Sequence, residues 1–224
     1  MKAQMTDEHR KFWSTIAVKY DAVVDLQIGV DTRAMVRERL AREGQLGTVA
    51  EFGCGTGYFT KVLADKADSV QATDLAPGML VAAKQRVKAA NVQFQEQDCQ
   101  KTSFPDSAFN TIFLSLVIHF TDPAKTLAEM RRILKPGGIL IIANGDPCAL
   151  SKVNRLRWLV RGFYYGLTRH RTKPPAGLTR NLIPEAELCD LLIDCGFRIL
   201  CKETIRNASR SSNMPIEYVK AARI

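Results

Sequence analysis

No stretch of this chain approaches the ~18–20 consecutive apolar residues that cross a bilayer. The opening MKAQMTDEHRKFW holds no apolar core of the kind a secretory signal carries. There is no internal repeat and no low-complexity linker. None of the six cysteines forms a C-x-x-C pair, and the three histidines do not cluster with them, so a structural zinc site is disfavoured. Four of the cysteines sit in or beside apolar runs, where Cys behaves as a small buried residue in a reducing compartment. A soluble, cytoplasmic chain is expected, with no metal.

Acidic residues are missing from one long segment. Between Pro147 and Pro184 stand Lys152, Arg155, Arg157, Arg161, Arg169, Arg171, Lys173 and Arg180, with no Asp or Glu. The net charge is +9. This stretch holds nearly all of it, so the excess charge acts locally. Elsewhere the composition is ordinary. With 46% apolar and 25% charged residues over 224 positions, one globular domain is expected, and global disorder and fibrous repeats are excluded.

Short β-like runs alternate with helical ones. Strands are predicted at 48–52, 69–75, 92–97, 111–118 and 139–143, and again at 197–205 and 217–224. Helices are predicted at 58–67, 77–90, 122–134 and 184–194, with KPGG at 135–138 stopping the third. The run TIFLSLVI is almost wholly apolar, as befits a parallel strand covered on both faces. The pattern argues for an α/β doubly wound, mostly parallel sheet. The last two strands have only a polar loop between them and should run antiparallel. A helical N-terminal segment precedes the sheet.

The most informative string is EFGCGTG, at 51–57. Glycines between a strand and a helix let backbone approach a ligand closely and aim N–H groups at an anion. A dinucleotide site would have its third glycine at 58, which is Tyr. The acid at 51 also disfavours a pyrophosphate, so a ligand with a positive end suits the loop better. Asp74 ends the second strand, where a carboxylate accepts from a ribose diol or caps the helix that Pro77 opens. Asp98 and Cys99 end the third strand. They suit either an adenine edge or a simple turn.

Four strings in order, EFGCGTG, TDLAPGML, QDCQKTSFPDSAFNTIFLSLVIHFTDP and MRRILKPGGILIIAN, resemble the successive motifs of class I S-adenosylmethionine-dependent methyltransferases of the small-molecule branch. The resemblance covers about 48–144. It implies a Rossmann-like seven-stranded sheet with a reversed last strand, N-terminal helices and a helical lid insertion. The parts would be a cap at 1–45, a cofactor-binding core at 46–146, a lid at 147–183 and a C-terminal helix and strands at 184–224. It implies S-adenosylmethionine as donor and S-adenosylhomocysteine as product. Gly53, Cys54, Gly55 and Gly57 would shape the methionine side, and Glu51 would help hold the amino group. Asp74 would hold the ribose, with Leu75 and Met79 beside the adenine and Asp98 and Cys99 at its edge. Ser115 and Leu116 would line the cleft. Tyr20, in a Tyr-Asp pair, would close over the cofactor.

His119 admits two readings, a structural or cofactor-contacting residue and a base or substrate contact; Tyr20, Tyr164 and Tyr165 are weaker candidates for the latter. The basic segment is a solvated helix, a lid for an acidic or apolar small acceptor, or a docking site for an anionic membrane, an acidic carrier protein or RNA. The stretch YDAVVDLQ at 20–27 is faintly similar to methyltransferases of biotin synthesis that act on a carrier protein. Against a nucleic-acid substrate stand the missing N-P-P-Y-like string and the missing RNA-binding module. A catalytically silent cofactor-binding protein is a third reading, which the intact glycine loop opposes.

Overall fold

The computed structural model describes residues 7–157, 159–160, 183–207 and 213–224. Three helices come first: α1 (Asp7–Ile16), α2 (Tyr20–Ile28) and α3 (Val30–Ala41). The core then alternates β1 (Gly47–Phe52), α4 (Thr60–Lys66), β2 (Ala67–Asp74), α5 (Pro77–Arg86), β3 (Val92–Glu96), β4 (Phe109–Ser115), α6 (Pro123–Ile133) and β5 (Leu134–Gly145). Helix α7 (Glu185–Asp194) and strands β6 (Phe197–Ile205) and β7 (Ile216–Arg223) complete it. Among the described residues no helix is long and apolar enough to cross a membrane.

The strands form one seven-stranded sheet in the order β3-β2-β1-β4-β5-β7-β6. Strands β1 to β5 are parallel, and β7 runs antiparallel to both its neighbours. This is the expected doubly wound architecture with its reversed last strand. Alternate residues of the central strands serve opposite faces. Val49, Phe113 and Ile141 pack towards α3, α4 and α5, where Leu40, Leu63 and Leu80 meet them. Ala50, Ile112, Leu114 and Leu140 pack towards Leu127 and Met130 of α6 and Leu188 and Leu192 of α7. Burial on both faces explains the near-continuous apolar runs.

The chain reverses direction across the sheet between β1 and β4. Ligand crevices of such sheets open at that point, beyond the carboxyl ends of the strands. Several boundaries depart from expectation there. Strand β4 stops at Ser115, three residues before the apolar run ends. Leu116 takes φ +57, and Ile118–Phe120 form a 3-10 turn whose Ile118 is buried in the α6 core. Packing of that turn uses the apolar residues that alternation alone assigns to a strand. Helix α5 ends at Arg86, not at 90. Val87 is extended and buried, and the Asn91 side chain fastens the connection by donating to the Ala64 and Ala67 carbonyls. KPGG lies within β5 as an irregularity: the register jumps from Phe109–Leu134 to Thr111–Ile139.

Candidate functional site

The glycine loop leaves β1 under tight constraint. Gly53 has φ +66, and a Cβ there would lie 2.2 Å from Val117 Cγ2. Gly55 has φ +54, and its bare face lies against Tyr20, whose Cε1 would be 3.2 Å from an added Cβ. Both positions need glycine for conformation and for space. The loop does not present a fan of free N–H groups, contrary to the expectation from spacing. Cys54 N–H donates to the Thr73 carbonyl, Gly57 N–H to the Cys54 carbonyl, and Gly55 N–H to Asp74.

Asp74 therefore organises the floor. Its Oδ2 accepts from Gly55 N–H at 2.9 Å and its Oδ1 from Ala76 N–H at 2.9 Å. An ionised carboxylate has about four acceptor sites, so capacity remains for a ligand. Burial pushes its carboxyl up to about 6, opposed by the backbone N–H groups of Ala76, Gly55 and Leu75. Asp74 does not cap α5, whose N-cap is Ala76 without a side-chain cap bond; it closes the turn ahead of the helix instead. Asp98 is also a turn residue, accepting from Gln100 N–H at 2.9 Å.

These residues open onto a cleft of about 640 Å³, counting space open to solvent. Of the residues singled out from sequence, Tyr20, Gly53, Gly55, Asp74, Leu75, Met79, Asp98, Cys99 and Leu116 line it. Glu51, Cys54, Gly57, Ser115 and His119 do not. Glu51 is buried beneath the loop, where Thr60 Oγ1 donates to it at 2.6 Å. Burial raises its carboxyl to about 8; the Thr60 hydrogen bond opposes this and the Asp74 charge adds to it. The Cys54 thiol is likewise pushed well up by burial. Gly57 faces Ala83 of α5 and Val87 just beyond it. Ser115 pairs with Ala143 at the strand ends. His119 is buried, with its ring centroid 4.1 Å from that of Phe120, and lines a neighbouring cavity. Tyr164, Tyr165 and most of the basic segment lie outside the described residues.

Sequence reasoning missed Trp13, Gln97, Val117, Phe120 and Thr121, which also line the cleft. Trp13 arrives because α1 crosses α5 closely: Gly78 N–H donates to Ser14 Oγ, and a Cβ at Gly78 would meet Ser14 backbone at 2.7 Å. Trp13 then stacks edge-on with Phe120 at 5.0 Å and with Tyr20 at 6.2 Å. No motif spacing announces this roof. Beside Tyr20, Asp21 ties α2 to the loop. It accepts from Thr56 Oγ1 at 2.9 Å, from Arg33 at 2.7 Å and from Arg86. Burial alone would raise the Asp21 carboxyl, but Arg86 and Arg33 outweigh it and hold it at about 2. Arg33 is itself buried and lies 3.7 Å over the Tyr58 ring.

Residues 50–142, which span this floor and β4 and β5, match the family described as "Methyltransferase domain". That match gives this range the sequence pattern of a methyltransferase domain. The chain is 36% identical over 132 residues to a malonyl-[acyl-carrier protein] O-methyltransferase of Serratia marcescens, covering 58% of this chain and 50% of that one. It is 32% identical to a demethylmenaquinone methyltransferase of Deinococcus radiodurans, covering 62% of this chain and 61% of that one. It thus spans about half to three-fifths of these curated relatives. A SAM-dependent methyltransferase from Aquifex aeolicus shares the fold at TM-score 0.63 and 20% identity, over 94% of this chain and 98% of the other. The matched range therefore carries the strand-end motifs of the floor together with Phe120, and the rest of the roof, Trp13 and Tyr20, comes from α1 and α2 outside it.

Proposed function

We propose that the chain is an S-adenosylmethionine-dependent methyltransferase acting on a small acceptor. The observation that carries this is Asp74: a carboxylate fixed by two backbone N–H groups at the floor of a cleft walled by bare glycine faces. That arrangement suits a nucleoside whose ribose diol donates to Asp74. Leu75 and Met79 would flank the adenine, with Asp98 and Cys99 at its edge. Gly53 and Gly55 would let the methionyl portion approach, and Tyr20 and Trp13 would cover it. Glu51, sealed beneath the loop, would support the loop from below. Cys54, Gly57, Ser115 and Leu116 would shape the walls around these groups.

S-adenosylmethionine held there would supply an activated methyl, which an acceptor's lone pair could take with the carbon–sulfur bonding pair left on sulfur. The protein's part is orientation and a dry cleft, worth roughly 7–11 kcal/mol for well-positioned reactants. His119 is the candidate to receive a proton where the acceptor must lose one. Residues 1–45 would act as a cap, 46–146 as the cofactor-binding core, 147–183 as a lid, and 184–224 as the closing helix and strands. The six free cysteines support a cytoplasmic setting.

Calorimetry with S-adenosylmethionine and S-adenosylhomocysteine tests the assignment, followed by transfer of labelled methyl to an acceptor panel. Saturable one-to-one binding of both nucleosides is expected; no affinity for either would overturn it.

One observation favours a docking role for the basic segment. Val153, Leu156, Leu159 and Val160 fall at helical spacing and are each more than half exposed, beside exposed Lys152, Arg155 and Arg157. An apolar stripe rimmed by cations suits an anionic surface, a membrane or an acidic carrier protein. Replacing Arg155 and Arg157 by Glu should abolish any co-sedimentation with anionic vesicles or capture by a carrier, and should spare nucleoside binding.

A further inference from the structure

A second cavity, about 520 Å³ with its open space, adjoins the cleft. Trp13, Tyr20, Leu116 and Phe120 line both, so the two cavities lie against one another along these side chains. The rest of its wall is mainly aliphatic, from Val23, Val24 and Ile28 of α2 and from Met214 ahead of β7. Polar side-chain atoms come from Gln27 and His119 and from the edges of the Trp13 and Tyr20 rings. Among the described residues no Asp, Glu, Lys or Arg lines it.

We propose that this cavity receives the acceptor and selects an uncharged, flat, largely apolar ring compound over a carboxylate. The proposal rests on the methyl-transfer reading and adds the acceptor's chemical class. Three aromatic side chains at one wall favour a flat ring. A carboxylate entering here would lose its hydration with no lysine or arginine among the described lining residues to replace it. A neutral hydroxyl needs only one or two partners, and Gln27 and His119 are of the right type to supply them.

The test uses the full chain saturated with S-adenosylhomocysteine and two probes of the same shape, 2-naphthol and 2-naphthoate, titrated calorimetrically near neutral pH. The naphthol should bind one-to-one and at least about tenfold more tightly than the naphthoate. Val23 lines this cavity alone and is half-buried. Val23→Trp should fill the space and weaken the naphthol about tenfold or more, with S-adenosylhomocysteine affinity kept. Val23→Arg should reverse the preference towards the naphthoate. Equal binding of the two probes, no naphthol binding, or a naphthol affinity indifferent to Val23→Trp would overturn the proposal. Nucleoside binding is read before either probe is added, so its failure in the unaltered chain would count against the methyl-transfer reading instead.

Discussion

The floor and the roof of the cleft are built by opposite means. On the floor, Gly53, Gly55, Asp74, Leu75, Asp98 and Cys99 all come within three residues of a parallel strand's carboxyl end. They act through backbone geometry and hydrogen bonds. The roof and second cavity draw on residues as far apart as Trp13 and Met214, and their contribution is shape and apolar surface. Directional contacts demand a rigid frame, and strand ends supply it at recurring spacings. Apolar walls demand only that a side chain of suitable bulk arrive, and any helix that packs there can deliver one.

The sharpest way to break this contrast is Asp74→Ala. It removes a carboxylate that holds both the loop and, on the proposed reading, the ribose. With charged hydrogen bonds contributing about 1.5–3 kcal/mol each, S-adenosylmethionine affinity should fall about 100-fold by calorimetry. Circular dichroism would confirm that the sheet survives. A loss smaller than about fivefold would mean that the floor, too, works mainly by shape.

Glu51→Gln separates support of the floor from contact with its ligand. The Glu51 carboxyl is raised in the folded state, so its contribution to stability is full below about pH 4.5 and is lost as pH climbs through about 8. The Gln variant lacks that dependence. Its stability relative to the parent should therefore rise with pH, by roughly 2–4 kcal/mol between pH 5 and 9 in urea unfolding. A pH-independent difference would contradict the buried, uncharged carboxyl.

Asp21→Ala loosens the join between the halves. Removing the Thr56, Arg33 and Arg86 contacts should lower nucleoside affinity about tenfold through the loss of Tyr20's placement, and should cost roughly 1–2 kcal/mol of stability. The Asp21 carboxyl is depressed, so this contribution is present above about pH 4 and disappears as pH falls towards 2. Tryptophan fluorescence, reporting Trp13 in the roof, should shift on substitution. Unchanged affinity would show that roof and floor are independent.

The smallest effect is a pH profile. Nucleoside affinity should drop roughly fourfold between pH 7.5 and 5.5 as Asp74, at about 6, takes up a proton and loses the charge that strengthens its hydrogen bonds from the diol. Asp74→Asn should flatten that profile; a slope that persists would assign the titration to another group.

The floor was legible because each of its residues sits in a string whose local chemistry is unusual. EFGCGTG is hard to explain as ordinary loop, and an Asp after a strand followed by Pro narrows the options quickly. What spacing could not convey is that Cys54 and Gly55 spend their N–H groups on β2 and Gly57 within the loop, or that Glu51 lies sealed against Thr60. Trp13 and Phe120 are ordinary aromatics in their local context, with nothing to say which surface they would share. The end of β4 was misjudged for a related reason: Val117 and Ile118 are as apolar as the strand before them, and only the packing of the following turn distinguishes the two.

From residue order alone came the alternating β/α frame, the antiparallel closing strands, the strand-end positions of the glycines and acids, and the concentration of positive charge at 147–184. These are local properties, set by periodicity, by glycine and proline, and by charge counting. The tertiary structure alone decided that α1 and α2 fold back over the cleft, that His119 turns to the second cavity, and that this cavity lacks charged side chains among the described residues. Those depend on which distant surfaces meet, and apolar packing, being non-directional, leaves no spacing in the chain from which the meeting can be read.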